Sequence, residues 1–135
     1  MFSEATVLIA EDNLYVALDL SSAVEELDGR VVGPASTVAE ALALLARHDV
    51  AGAIVDSQLG DRDVAPLARQ LAERGVPFVI HACTRVPAII ADAHPDVPVL
   101  LKPLQPSAVL TCLLDEMRKS GFLPRTHPEI VPAAT

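Results

Sequence analysis

Glu11-Asp12, Asp56 and Lys102 each stand at the end of a short aliphatic run. Val7-Leu8-Ile9-Ala10 leads into the acidic pair, Gly52-Ala53-Ile54-Val55 into Asp56, and residues 97–101 into Lys102-Pro103. If these runs are parallel strands of one sheet, their carboxyl ends share a rim, and ligands of open α/β sheets bind outside that rim. Three carboxylates gathered there repel one another, and their pKa values rise unless a cation compensates. Mg²⁺ meets that need, because it is a small hard ion that takes carboxylate oxygens and keeps several waters. Asp12 and Asp56 can ligate it directly and Glu11 through water. Lys102 adds a mobile positive charge on the other side, which makes an anion the intended guest, and a phosphoryl group is the natural candidate. Transfer of phosphoryl to Asp56 needs positioning and charge neutralisation more than covalent help, and a metal with a lysine supplies both.

The elements that must hold these groups can be read along the chain. Residues 5–10 read as a buried strand. Ala17, Leu20, Val24 and Leu27 recur at helical spacing, and Gly29 offers a stop. Residues 30–34 read as a second strand ended by Pro34. Thr37-Val38-Ala39-Glu40 fits a capping box, opening a helix with the stripe Val38, Ala41, Leu42 and Leu45. The third strand ends at Asp56. Val64, Leu67, Ala68 and Leu71 mark a third helix, capped by Asp61 and Asp63 and stopped near Gly75. Residues 76–81 give a fourth strand, 85–93 a short fourth helix and 97–101 a fifth strand. Pro106 suits the first turn of a last helix whose inner face is Val109, Leu110, Leu113, Leu114 and Met117. Five strands alternating with five helices predict an α/β fold, a (βα)5 doubly wound five-stranded parallel sheet. The domain is expected over residues 1–121. Residues 122–135, with Pro124, Pro128 and Pro132, are expected to be an extended or disordered tail.

Bulk properties agree and exclude other classes. The 135 residues favour one domain, and hydrophobic residues at 51% with aromatics at only 3% mean a core of Ala, Val, Leu and Ile. Parallel strands covered on both faces have that composition. The formal net charge of −8, with no basic run, argues against nucleic acid and against an anionic membrane surface. No apolar stretch approaches the roughly 20 residues of a spanning helix, and the N-terminus lacks a signal-peptide pattern. A cytoplasmic location is expected. Cys83 and Cys112 read as two reduced thiols, and His81, Cys83 and His94 match no standard zinc spacing.

The three segments Val7-Leu8-Ile9-Ala10-Glu11-Asp12, Ile54-Val55-Asp56-Ser57-Gln58-Leu59-Gly60 and Leu101-Lys102-Pro103 together resemble the CheY-like receiver domains of response regulators. The resemblance covers roughly residues 5 to 120. Val31-Val32-Gly33-Pro34-Ala35 and Gly75-Val76-Pro77-Phe78-Val79 look like a subgroup of stand-alone, single-domain regulators common in bacteria. The resemblance implies a flavodoxin-like strand order 2-1-3-4-5. It implies that Asp56 is the phosphoacceptor, and that Asp12, Asp56 and the backbone carbonyl of Gln58 bind Mg²⁺ with Glu11 acting through water. Lys102 would pair with the phosphoryl oxygens. The donor would be a phosphohistidine on a histidine kinase or phosphotransfer protein. Such a chain signals by protein contacts and is not an enzyme beyond its own phosphorylation and dephosphorylation.

The pattern breaks at two places. Receivers usually carry Thr or Ser at the end of strand four, where this chain has Ala82, and often an aromatic residue three before the lysine, where it has Val99. A lost hydrogen bond to a charged group is worth about 1.5–3 kcal/mol. Thr84 could substitute for the missing hydroxyl only if the loop bends back. Two readings follow: a phosphoryl-accepting module with weak coupling to shape change, or a degenerate receiver acting as a phosphorylation-independent interaction module. A flavin- or nucleotide-binding protein or a hydrolase ranks last, because neither a glycine-rich phosphate loop nor a nucleophile elbow occurs. Blander roles compete at single residues. Glu11-Asp12 could merely cap the first helix, His81 fills space at a strand end, and His48, His94 and His127 are surface residues. Ile89 and Ile90 are candidates for a dimer surface built with the fifth strand and the last helix, against ordinary packing on the sheet.

Overall fold

Aliphatic runs become strands where both faces can be covered, and 3.6-period stripes become the helices that cover them. The computed structural model describes residues 1–60, 62–83, 86 and 88–122. Its strands are β1 (Thr6–Ala10), β2 (Arg30–Ala35), β3 (Gly52–Asp56), β4 (Phe78–Ala82) and β5 (Val99–Leu101). Its helices are α1 (Leu14–Glu26), α2 (Val38–Arg47), α3 (Ala65–Glu73), α4 (Ala88–Ala93) and α5 (Pro106–Lys119). All neighbouring strands of the main sheet are parallel, in the order β2-β1-β3-β4-β5. The expected (βα)5 architecture and strand order are those found. A two-residue hairpin, Gln58–Leu59 against Arg62–Asp63, follows β3.

Two apolar layers sandwich the sheet. One joins Leu8, Val55 and Ile80 to the inner faces of α2, α3 and α4 through Leu45, Leu67, Leu71 and Ile90. The other joins Ile9, Ile54 and Val79 to α1 and α5 through Leu20, Val24, Leu110 and Leu113. Alternate residues of each strand thus serve alternate layers. Each fully buried Leu or Ile contributes roughly 1.5–3 kcal/mol.

The structure corrects the reading of Pro34. The proline does not end β2, which continues to Ala35, because the ladder shifts register between Leu8 and Ala10: Leu8 pairs with Val32, and Ala10 with Ala35. Gly33 makes the shift possible. Its φ is +99°, and a Cβ there would lie 2.8 Å from both the Ile9 carbonyl oxygen and the Ala35 nitrogen. The later boundaries also move. β4 runs from Phe78 to Ala82, α4 begins at Ala88 and β5 at Val99.

The capping box forms with one change. Thr37 Oγ1 accepts from the Glu40 amide at 3.1 Å, while Glu40 Oε1 accepts from the amide of Ser36 rather than of Thr37. Asp63 Oδ1 accepts from the Ala65 amide at the start of α3; Asp61 lies outside the described residues. His94 is half-buried, packed edge-on against Phe78 with ring centroids 5.9 Å apart, and so is not the surface residue expected. His48 is exposed as expected. Cys83 and Cys112 are free thiols. Phe122, just beyond α5, donates its amide to the Met117 carbonyl at 2.9 Å, and residues 123–135, with His127, lie outside the described residues.

Candidate functional site: an acidic cluster at the carboxyl rim of the sheet

β1 and β3 pair in register, Ala10 opposite Val55, so the next residues, Glu11 and Asp56, arrive side by side at the rim. β4 extends the row, because Asp56 pairs with His81. Glu11, Asp56 and His81 fall in phase with Ile9, Ile54 and Val79 and therefore lie on the α1/α5 side of the sheet. All three are buried, at 2%, 7% and 3% exposure. Lys102 enters from β5, one step past the Ala82–Leu101 pair, and its backbone amide donates to the Ala82 carbonyl at 2.7 Å.

The side chains converge. Oxygens of Glu11, Asp12 and Asp56 all lie within 4.8 Å of one another, and among the described residues this is the one group of His, Cys, Asp or Glu side chains that could hold a metal ion. Lys102 Nζ lies 2.9 Å from Glu11 Oε1 and 3.3 Å from Asp56 Oδ2. Asp56 Oδ1 accepts from the Gln58 amide at 3.3 Å. Asp12 is exposed and accepts from the Gly60 amide at 3.0 Å, which ties the end of β1 to the hairpin behind Asp56.

Burial and the neighbouring Asp56 push the Glu11 carboxyl up to about 7, against the lesser help of the Asn13 amide and Lys102. Burial works against the charge on Lys102, but its contacts with Glu11 and Asp56 outweigh that, and its pKa ends raised. Burial, followed by the nearby Lys102 ammonium, lowers the pKa of His81.

The donor set fits Mg²⁺. The rim gathers three carboxylate groups around one amine, and Glu11 Oε1 is buried with no hydrogen bond despite the nearby ammonium. Hard oxygen ligands of this kind suit that ion. Glu11, Asp12 and Asp56 would hold it.

The structure brings Glu11, Asp12, Asp56 and Lys102 together, with Gln58 at the start of the adjoining hairpin. Ala82 is fully buried at the end of β4, and Val99 is 42% exposed on β5. Thr84 lies outside the described residues. One expectation is corrected. Ile90 is only 1% exposed and packs in the core, whereas Ile89 is 66% exposed. The two side chains point about 100° apart around the helix, and Ile90 falls on the face turned to the sheet. Ile90 is not a surface residue. Capping of α1 falls to Asn13, whose Oδ1 accepts from the amides of Tyr15 and Val16 at 3.0 and 3.2 Å, while Glu11 Oε2 accepts from the Asn13 amide at 3.0 Å. Sequence reasoning passed over Asn13 and treated His81 as filler. The available signal for His81 was its place as the one polar residue in the buried run Phe78-Val79-Ile80-His81-Ala82, in phase with Asp56.

Solved structures share this architecture. The chain is similar to a CheY-like response regulator receiver domain protein from Methanospirillum hungatei JF-1, with a TM-score of 0.78 and 16% identity over 87% of this chain and 97% of the other. It is similar to a response regulator receiver protein from Sinorhizobium medicae WSM419, with a TM-score of 0.76 and 21% identity over 89% and 99% of the two chains. The signal receiver domain of an HD domain-containing protein from Pseudomonas fluorescens Pf-5 gives a TM-score of 0.77 and 18% identity over 89% and 99%. No protein-family model and no curated protein matches the sequence. The chain has the fold of response-regulator receiver domains.

Proposed function

We propose that this chain is a response-regulator receiver in a two-component relay, accepting a phosphoryl group on Asp56 from a phosphohistidine on a histidine kinase or phosphotransfer protein. The observation that carries the reading is the Lys102 ammonium set 3.3 Å from Asp56 Oδ2, inside a cluster of three carboxylates at the carboxyl rim of a receiver-fold sheet. In the transfer, an Asp56 oxygen forms the new P–O bond as the P–N bond to the donor imidazole breaks, and that electron pair stays on the imidazole nitrogen. Lys102 turns its N–H donors to the phosphoryl oxygens. Asp12 and Asp56 with the Gln58 carbonyl would hold Mg²⁺, and Glu11 would support it through water. When bound, the ion supplies neutralisation of the charge on the transferring group.

The rest of the proposal concerns context. Residues 1–121 form the receiver unit, with 122–135 as a flexible tail. The chain is read as the single-domain type on the likeness of Val31–Ala35 and Gly75–Val79 to that subgroup. It works in the cytoplasm, without nucleic acid or membrane. No helix among the described residues is long and apolar enough to cross a membrane. Output passes through protein contacts, including a homodimer through α4, β5 and α5, where Ile89, Val99, Leu101 and Leu104 are exposed.

Incubation of the purified protein with acetyl phosphate and Mg²⁺ tests the central claim by intact mass. One added phosphoryl, absent in Asp56→Asn, is the expected result; an unmodified wild-type mass overturns it. A second reading, a phosphorylation-independent interaction module, is favoured by one observation: Ala82 offers no hydroxyl, and Val99 no aromatic ring, at the two switch positions. It predicts identical partner binding by the wild type and Asp56→Asn.

A further inference from the structure

His81 has two fully buried polar atoms without a partner: neither Nδ1 nor Nε2 makes a hydrogen bond, and the residue is 3% exposed. Leaving such groups unsatisfied costs about 1–3 kcal/mol each, so a partner is expected in some working state. The ring stands on the strand next to Asp56, in register with it and on the same face, so Glu11, Asp56 and His81 form a continuous row across three strands. Lys102 enters over that row from the end of β5. Its ammonium has three donors, two of them facing Glu11 and Asp56.

We propose that His81 is a positioning residue of the site, which accepts a hydrogen bond from the Lys102 ammonium when Glu11 and Asp56 turn their oxygens to a bound cation. The inference rests on the reading of the rim as a Mg²⁺-dependent phosphoacceptor site and assigns it a further member. A carboxylate that turns to a cation leaves Lys102 short of an acceptor at the moment the amine must stay in place. A buried imidazole with a free lone pair, set beside Asp56, supplies one without adding a third negative charge. Leu or Val at position 81 would fill the space equally well but could accept nothing. The ring also stands next to Ala82, where the chain has no hydroxyl to help hold the phosphoryl group, and that leaves more of the task to the amine.

The experiment follows the hydrogen exchange of the Lys102 ammonium by ¹⁵N NMR in the full chain, with and without Mg²⁺, in wild type, His81→Leu and His81→Gln. Calorimetry reports Mg²⁺ binding on the same samples. With Mg²⁺ bound, exchange in His81→Leu is expected to be about tenfold faster or more than in the wild type. His81→Gln, which restores an acceptor, is expected to return it to within about threefold. The aspartyl phosphate of His81→Leu should form more slowly by a similar factor. His81→Leu should unfold at or above the wild-type temperature, since it removes two unpartnered buried nitrogens; should it fail to fold, His81→Phe takes its place. Equal ammonium exchange in the Leu and wild-type proteins, with Mg²⁺ bound to both, overturns the role of His81 and leaves the phosphoacceptor reading standing. Absence of any Mg²⁺ heat in the wild type overturns both.

Discussion

Lys102 Nζ lies 2.9 Å from Glu11 Oε1, and this pair of opposite charges is almost closed to solvent, with the lysine side chain 15% and the glutamate side chain 1% exposed. The two residues come from β5 and from the end of β1, strands separated in the sheet by β3 and β4. The contact therefore spans the carboxyl rim directly over Asp56.

The protonation of Glu11 makes stability depend on pH. Its folded pKa of about 7 lies above the ordinary 4.5, so between those values the folded state holds more protons than the unfolded one. The contribution is fully present below about 4.5 and is lost as pH rises through about 7. Glu11→Gln should flatten that part of the profile, measured by urea unfolding from pH 4.5 to 7.5. Mg²⁺ should flatten it in the wild type as well, by binding the ionised form and releasing a proton.

Lys102→Met should separate the lysine's structural role from its chemical one. Breaking a buried ion pair by removing one partner costs about 3–5 kcal/mol. Here three carboxylate groups are left without their one amine, and Mg²⁺ should recover a large part of the loss. Phosphorylation by acetyl phosphate, read by intact mass, should fall by tenfold or more even at saturating Mg²⁺. Unchanged stability in metal-free buffer would refute the ion pair.

Ala82→Thr should give back the missing hydroxyl. A hydrogen bond to a charged group is worth about 1.5–3 kcal/mol, so affinity for the phosphoryl mimic beryllofluoride should rise about tenfold or more. Because Ala82 has no exposed surface, the added atoms should also lower stability by about 1–3 kcal/mol. A variant with unchanged beryllofluoride affinity would mean that the end of β4 does not reach the phosphoryl group.

Ile89 and Ile90 should behave oppositely. Ile90→Ala opens a cavity in the core and should cost about 2–5 kcal/mol. Ile89→Ala should stay within about 0.5 kcal/mol. If α4 takes part in a dimer, Ile89→Asp should shift the sedimentation of the protein towards monomer with its unfolding midpoint unchanged; sedimentation identical to wild type would remove α4 from that surface.

Much of this was legible in the sequence for a physical reason. Residues that close aliphatic runs lie at strand ends, and a doubly wound topology sends those ends to one rim. Glu11, Asp12, Asp56 and Lys102 could thus be grouped without coordinates. What could not be read was depth and phase. Whether Glu11 or Asp12 turns inward depends on the in-register pairing of Ala10 with Val55, which leaves Glu11 buried and Asp12 outside. The run Val86-Pro87-Ala88-Ile89-Ile90-Ala91 carries too few polar residues to show which face of a six-residue helix is wet. Pro34 looked like a terminator because the register shift at Gly33 is a property of two strands together.

The exposed position of Tyr15 has an optical consequence. The chain contains no tryptophan and a single tyrosine. That ring is 81% exposed in the first turn of α1, a turn capped by Asn13 and joined through it to Glu11. All tyrosine emission from the protein thus originates at one point beside the acidic rim, and titrations at the rim can be followed by fluorescence with no label attached.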